Sequence, residues 1–407
     1  MNKVPAMKLM FPFADKWHYS SDIHKRDLRI DFIRGFVMLF LIVVHIDMIS
    51  FYDYLAWERI GAVTGAEGFV IISGLILGFL SRLRINHDGF MSMAGKQFNR
   101  SFLLYKTSIV VILSIIIIDL IPFIDASVTM NFTMYGEHGV KIYSLYPNWD
   151  SFLHNYNRVI AKFLILRYGP HQFQILGLYV FLLMLSPFIL WFISRGKIGI
   201  VLTLSWIAYF VNNGFNLRIT GAQFEYAFPL MVWQLLFVHG LVIGYYRNEI
   251  WNFFHSRKGA WVFALILLLF VVFLFFTYNS PIKEIPAYLR LNVISPETFR
   301  FIHDKFFTKN TLGIGRLVND FVVLFVSYAM LSYFWKPIYK FFGWFFVPIG
   351  QASLYVFILH VYICILIANI TFFHQGNIYI NTLGHTLVLA ILWLMVRYKV
   401  AYKWIPR

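Results

Sequence analysis

A chain of 407 residues that is 59% hydrophobic, 20% aromatic and only 13% charged carries more apolar surface than a water-soluble core of that size needs. This balance excludes a soluble globular enzyme, and several apolar runs reach the ~18 residues that suggest a membrane-spanning helix. The formal net charge of +16 would suggest nucleic acid in a soluble chain. Here basic cytosolic loops account for it, and no nucleic-acid partner is expected. The single cysteine, Cys364, excludes an intrachain disulfide and a cysteine-based metal cluster, and no metal site is expected.

The chain reads as an all-α, polytopic integral membrane protein with about ten transmembrane helices. Residues 1–30 are expected to form a cytosolic N-terminal segment and 31–407 a single transmembrane domain. Those first residues lack the apolar core and small-residue cleavage site of a secretory signal, so the first span is expected to serve as an uncleaved anchor. In chain order the spans are predicted near Phe32–Phe51, Gly68–Leu80, Ser101–Phe123, Phe173–Ile193 and Ile198–Val211. They continue near Leu230–Tyr246, Ala260–Tyr278, Leu317–Phe334, Ser353–Phe372 and Thr382–Val396. Lys25, Arg26 and Arg29 precede the first, and Arg82, Arg84, Lys96 and Arg100 follow the second. Arg195, Lys197, Arg247, Arg257, Lys258, Lys336 and Lys340 fill alternate loops, and Arg397, Lys399, Lys403 and Arg407 end the chain. These bases fall on one side if the span count is even, which puts both termini in the cytosol.

Two outer loops, 125–172 and 279–315, are too long to be simple connections and are expected to carry function or short helices of their own. The first holds Tyr135, Tyr143, Tyr146, Trp149 and Tyr156 with His138 and His154, a set suited either to stacking on sugar rings or to an interfacial aromatic belt. The second carries Lys283, Arg290, Arg300, Lys305 and Lys309 against the general charge bias, partly offset by Glu284, Glu297 and Asp304.

Within the first span, Arg34 and His45 are eleven residues apart. At roughly 100° and 1.5 Å per residue, they share one face about 16 Å apart along the axis, with Asp31 on the same stripe. Ionisable groups at membrane depth usually face a protein interior or a wet cavity and are functional. The plain alternatives are an interfacial Asp31–Arg34 pair and a helix-packing histidine. Glu67, at the start of the second span, is expected at the depth of His45, where its carboxylate would fix the imidazole tautomer. Gly74, one heptad on, allows close helix approach.

The run Arg26-Asp27-Leu28-Arg29-Ile30-Asp31-Phe32-Ile33-Arg34-Gly35 with His45, followed by Glu67-Gly68-Phe69 and Ser73-Gly74, resembles the OpgC family of membrane acyltransferases. That family is similar to the acyltransferase-3 and heparan-α-glucosaminide N-acetyltransferase groups, which share an arginine and a histidine separated by ten residues in the first span. Arg100 with Leu104-Tyr105-Lys106, Ile175-Leu176 with Leu178-Tyr179, and Phe228-Pro229 with Trp233-Gln234-Leu235-Leu236-Phe237 resemble further blocks in the same order. Thr311-Leu312-Gly313 with Arg316-Leu317 does likewise, and Ser353-Leu354 to His360 is closer to the acyltransferase-3 pattern. The chain departs from the family at Gln174 and Gly177, where aspartate and then proline are usual.

The resemblance implies an enzyme of the bacterial inner membrane. It would move an acetyl or succinyl group from cytosolic acyl-CoA, a co-substrate rather than a resident cofactor, to a hydroxyl of an extracytoplasmic glycan such as a periplasmic glucan. His45 would then serve as general base or acyl relay with Glu67 beside it. Arg34, Arg100, Lys106 and Asp31 would form the donor mouth, where guanidinium and ammonium groups suit the coenzyme's phosphates. Ser73, Trp233, Gln234, Arg316 and His360 are candidates for the cavity or for oxyanion donors, with Asn319, Asp320 and His171 nearby. A secondary transporter or flippase for a glycan or small anionic solute is the alternative. It lacks the duplicated broken segments typical of inverted repeats.

Overall fold

The computed structural model describes residues 17–20, 26–136, 139–374 and 376–406. Lys25, His138, Arg407 and most of the N-terminal segment lie outside the described residues. The principal helices are α1 (Leu28–His45), α2 (Gly65–Asp88), α3 (Phe90–Asp119), α4 (Gln174–Ser194), α5 (Ile198–Phe215) and α6 (Leu230–Tyr245). They continue with α7 (Arg257–Tyr278), α8 (Pro296–Phe306), α9 (Ile314–Tyr333), α10 (Trp344–Gln351), α11 (Ser353–Ala368) and α12 (Ile378–Arg397). One antiparallel hairpin, β1 (Asn131–Gly136) and β2 (Gly139–Ser144), lies in the first long loop, where the sequence suggests no strand.

The architecture is all-α and polytopic. Among the described residues, seven helices (α2, α3, α4 with its preceding turn, α5, α7, α9 and α12) are long and apolar enough to cross a membrane. Trp335–Gln351 and α11 meet at 87° and make at most an eighth, broken span. Helix α1 carries Arg29, Asp31 and Arg34, and α6 has only 16 residues, so both fall outside that set although spans are expected there.

Several boundaries move for local reasons. The first helix ends at His45 rather than near Phe51, because Ile46 turns to extended backbone and Asp53 accepts from the Ser50 amide at 2.8 Å. That turn starts a separate helix, Asp53–Ala56. Helix α2 runs beyond the expected Gly68–Leu80 at both ends. Its start is set by a capping box between Thr64 and Glu67, and Arg82 and Arg84 extend it without breaking it. The segment 335–351 has no counterpart among the expected spans.

Glycines set the helix spacing, since helices in lipid associate by close van der Waals packing rather than by exclusion of water. Gly74 and Gly78 of α2 face Gly240 and Gly244 of α6. A Cβ at Gly74 would stand 2.2 Å from the Phe237 carbonyl oxygen, and one at Gly244 1.9 Å from that of Leu75. Gly35 of α1 meets Gly350 of α10 in the same way, where a Cβ would fall 1.8 Å from the Asp31 oxygen. The Gly244→Val variant is therefore expected to cost ~1–3 kcal/mol by forcing α2 and α6 apart. Thermal unfolding in detergent measures this, and an unchanged midpoint would show slack at the contact.

Candidate active site

The stripe of α1 that carries Arg34 and His45 faces α11, not lipid. Arg34 donates to the Ser353 hydroxyl at the start of α11. Two turns further along α11, His360 Nε2 lies 3.0 Å from His45 Nδ1, with the rings stacked at 5.1 Å. Cys364, one more turn on, donates its thiol to the His45 carbonyl oxygen at 3.4 Å. The two helices run parallel along this seam.

Those contacts fix the ring protons. His360 Nδ1 bonds to the Phe357 carbonyl oxygen, which only accepts, so that nitrogen carries the hydrogen. In the neutral ring His360 Nε2 is then an acceptor, and His45 Nδ1 must donate to it. The proton of His45 therefore sits on Nδ1, and its Nε2 keeps a lone pair.

His45 lines a cavity of about 280 Å³, shared with Phe40, Thr64, Glu58, His171 and Lys309. The ring of His171 stands edge-on to His45 at 6.4 Å. An acyl donor held at Arg34 needs a passage from there to His45. The cavity reaches only Phe40 along α1 and does not include Arg34.

Glu67 does not pair with His45. Its carboxylate accepts from the Thr64 amide at 3.0 Å and from Arg316 Nε at 2.9 Å, and its side chain is buried. The capping requirement of α2 engages one oxygen and the Arg316 guanidinium engages the other, turning the carboxylate towards α9 rather than the imidazole. Arg316 also donates to Glu58 and, at 2.7 Å, to the Phe307 carbonyl oxygen. His303 of α8 completes the cluster, with Nε2 3.4 Å from Glu58.

That last pair yields a pH prediction. The hydrogen bond to Glu58 raises the His303 pKa above its ordinary 6.5 despite partial burial. A raised imidazole pKa adds stability that is complete below about 6.5 and is lost as pH climbs through the folded-state value. The protein is expected to unfold more easily as pH rises above 6.5, and His303→Gln is expected to remove that slope. Unfolding midpoints across pH 5.5–8.5 test it.

At the Arg34 end, Asp31 accepts from Arg26 at 2.6 and 2.7 Å and from Gln351 at 3.3 Å, with Arg34 at 4.0 Å. The charges of Arg26 and Arg100 both act on Arg34. The structure thus gathers Arg26 and Arg34 at the buried carboxylate of Asp31, with Arg100 within electrostatic reach of Arg34. Lys106 is not among them: its ammonium lies 4.8 Å above the Phe102 ring, on the exposed side of α3.

The remaining candidates are placed elsewhere. Ser73 donates to the Tyr179 hydroxyl at 3.3 Å, and Tyr179 lies within electrostatic reach of Arg34. Gln234 is consumed by Ser205 and the Met231 carbonyl, tying α5 to α6 rather than lining the cavity. Trp233 is fully buried and donates to the Asn310 carbonyl oxygen at 3.2 Å. Asn319 and Asp320 are buried next to Arg316 on α9. Of the aromatic loop, Tyr146 is buried while Tyr143 and Tyr156 are exposed; the side chains of Tyr135 and Trp149 lie outside the described residues.

The family model of the OpgC protein matches residues 26–404. The chain belongs to the OpgC family. Membership across nearly the whole chain suggests a membrane glucan-modifying acyltransferase. No curated protein matches the chain, and no solved structure matches it. Within this OpgC chain the residues that sequence reading misses at the cavity are Glu58 and Lys309. Both sit in loops that only the tertiary fold brings to His45, and neither belongs to a helical stripe that spacing would reveal.

Proposed function

We propose that this chain transfers an acyl group, acetyl or succinyl, from cytosolic acyl-CoA to a hydroxyl of an extracytoplasmic glycan, with His45 as general base. The observation that carries the reading is the hydrogen-bond chain from the Phe357 carbonyl through His360 to His45 Nδ1, which leaves the lone pair on His45 Nε2. A sugar hydroxyl is a poor nucleophile until its proton is taken, and an imidazole base contributes ~10²–10⁴-fold to such a step.

In this reading Arg26, Arg34 and Arg100 hold the phosphates of the coenzyme at the cytosolic end through charge-assisted hydrogen bonds. Asp31 and Ser353 orient Arg34. The thioester reaches His45 along the inward face of α1, and the Ser73–Tyr179 contact between α2 and α4 must open for the pantetheine arm to pass. The hydroxyl enters from the opposite side, and its proton passes to His45 and then to the departing thiolate. Glu67 and Arg316 fix the α2–α9 wall of the cavity rather than touching the reacting atoms.

The test compares surface glycans from cells with and without the protein by mass spectrometry. Acyl esters present only when the protein is made support the reading. Identical ester content in the two, with the protein in the membrane, overturns it.

A further inference from the structure

Lys309 stands at the cavity in a setting that the mechanism above leaves unused. The cavity lining contains no other lysine or arginine. Its ammonium forms no ion pair among the described residues, whereas Glu58 and Glu67, the nearby acids, are already held by Arg316. Its charge nevertheless acts on both His45 and Glu67.

The backbone around Lys309 is fastened from several helices. Trp233 of α6 donates to the Asn310 carbonyl oxygen at 3.2 Å, and Tyr209 of α5 donates to that of Leu312 at 2.8 Å. Asn213 reaches the Thr311 carbonyl oxygen at 3.2 Å, and Arg316 reaches that of Phe307 at 2.7 Å. The strap closes on itself through the Leu312 amide to the Lys309 carbonyl oxygen at 3.1 Å. Such fastening removes much of the backbone entropy that the loop would otherwise lose on meeting a ligand.

Lys309 is exposed, with its ammonium 5.9 Å from the Phe228 ring, and shares the cavity lining with His45. A positive charge in the same cavity as a general base opposes protonation of that base unless a negative charge develops between them. Attack of a hydroxyl on a thioester supplies that charge, since the carbonyl π electrons move onto oxygen. We propose that Lys309 is a catalytic residue that stabilises this oxyanion, on the opposite side of the acyl carbon from His45. The proposal rests on the acyltransferase reading above. As the acceptor O–H bond breaks, its proton goes to His45 Nε2 and the new C–O bond forms. The tetrahedral oxyanion then collapses, the C–S bond breaks, and the thiolate of CoA takes the proton back from His45. Nothing is oxidised or reduced. Trp233 acts here as a positioning residue through the strap.

The experiment measures CoA release by the purified full-length protein with acetyl-CoA or succinyl-CoA and a soluble glucan oligosaccharide. Lys309→Met and Lys309→Arg are compared with wild type, and His45→Ala sets the background. Lys309→Met is expected to lower kcat ~10²-fold or more with either donor, while KM for the donor stays within about twofold. Lys309→Arg, which keeps the charge, is expected to recover most of the loss. Equal unfolding midpoints show that the strap is intact, and a shifted midpoint makes Lys309→Arg the deciding variant. Wild-type kcat in Lys309→Met overturns the proposal and leaves the acyltransferase reading standing. A defect confined to KM for succinyl-CoA also overturns it, in favour of ground-state binding of the acyl carboxylate. Wild-type release no greater than the His45→Ala background removes the acyltransferase reading itself, and this inference with it.

Discussion

His45→Ala is expected to lower acyl transfer by ~10²–10⁴-fold without lowering the amount of folded protein in the membrane. Among the described residues the side chain hydrogen-bonds to His360, stacks on that ring and meets the His171 ring edge-on, and otherwise borders the cavity, so its loss removes little packing. His360→Ala is expected to give an intermediate rate. It leaves the His45 ring in place but frees Nδ1, so the tautomer with a lone pair on Nε2 is no longer the one enforced. Steady-state kcat for the two variants checks both statements. A His360→Ala rate equal to wild type would show that the imidazole pair does not set the tautomer. Pre-incubation with radiolabelled acyl-CoA and no acceptor is expected to leave the enzyme unlabelled; quantitative labelling lost in His45→Ala would replace the base with an acyl-imidazole relay.

Arg316→Met is expected to produce the largest loss of stability of any single substitution at the site. It leaves the fully buried carboxylate of Glu67 without its cation and removes the bonds to Glu58 and to the Phe307 backbone. Breaking a buried ion pair from one side costs ~3–5 kcal/mol, because the remaining charge stays desolvated. Pairing it with Glu67→Gln is expected to recover part of the loss, since the amide can still accept at Thr64 without carrying a charge. Thermal unfolding in detergent measures this. A midpoint for Arg316→Met equal to that of wild type would mean that Glu67 is not held by Arg316, and would return it to the imidazole as a candidate partner.

The sequence makes the helices legible because apolar runs report directly on burial in lipid, and most spans fall within a few residues of their helices. It misses the turn after His45 because Ile46 to Phe51 are apolar enough to continue a span, and only the Ser50–Asp53 bonds end it. The bent segment before α11 is also hidden, since its Gly350 shows a role only when set against Gly35. At the site, the spacing of Arg34 and His45 is a helical property and reads correctly as one stripe. The partners of that stripe are not local. Ser353 and His360 lie more than 300 positions away, and Glu67 is drawn to Arg316 at 249 positions because a guanidinium satisfies a buried carboxylate better than a neutral ring does. Gln234 looks like a cavity residue by motif, yet the hydroxyl and carbonyl of Ser205 claim its amide.

The most direct test of the central claim separates the two substrates by a bilayer. Purified protein is reconstituted in vesicles with acyl-CoA on the side of Arg26, Arg34 and Arg100 and a soluble glucan oligosaccharide on the side of His45. Free CoA is expected to accumulate in the first compartment and ester in the second, in equal amounts, with neither formed by His45→Ala. Movement of either solute across the bilayer without ester formation would contradict acyl transfer at His45 and make the protein a carrier.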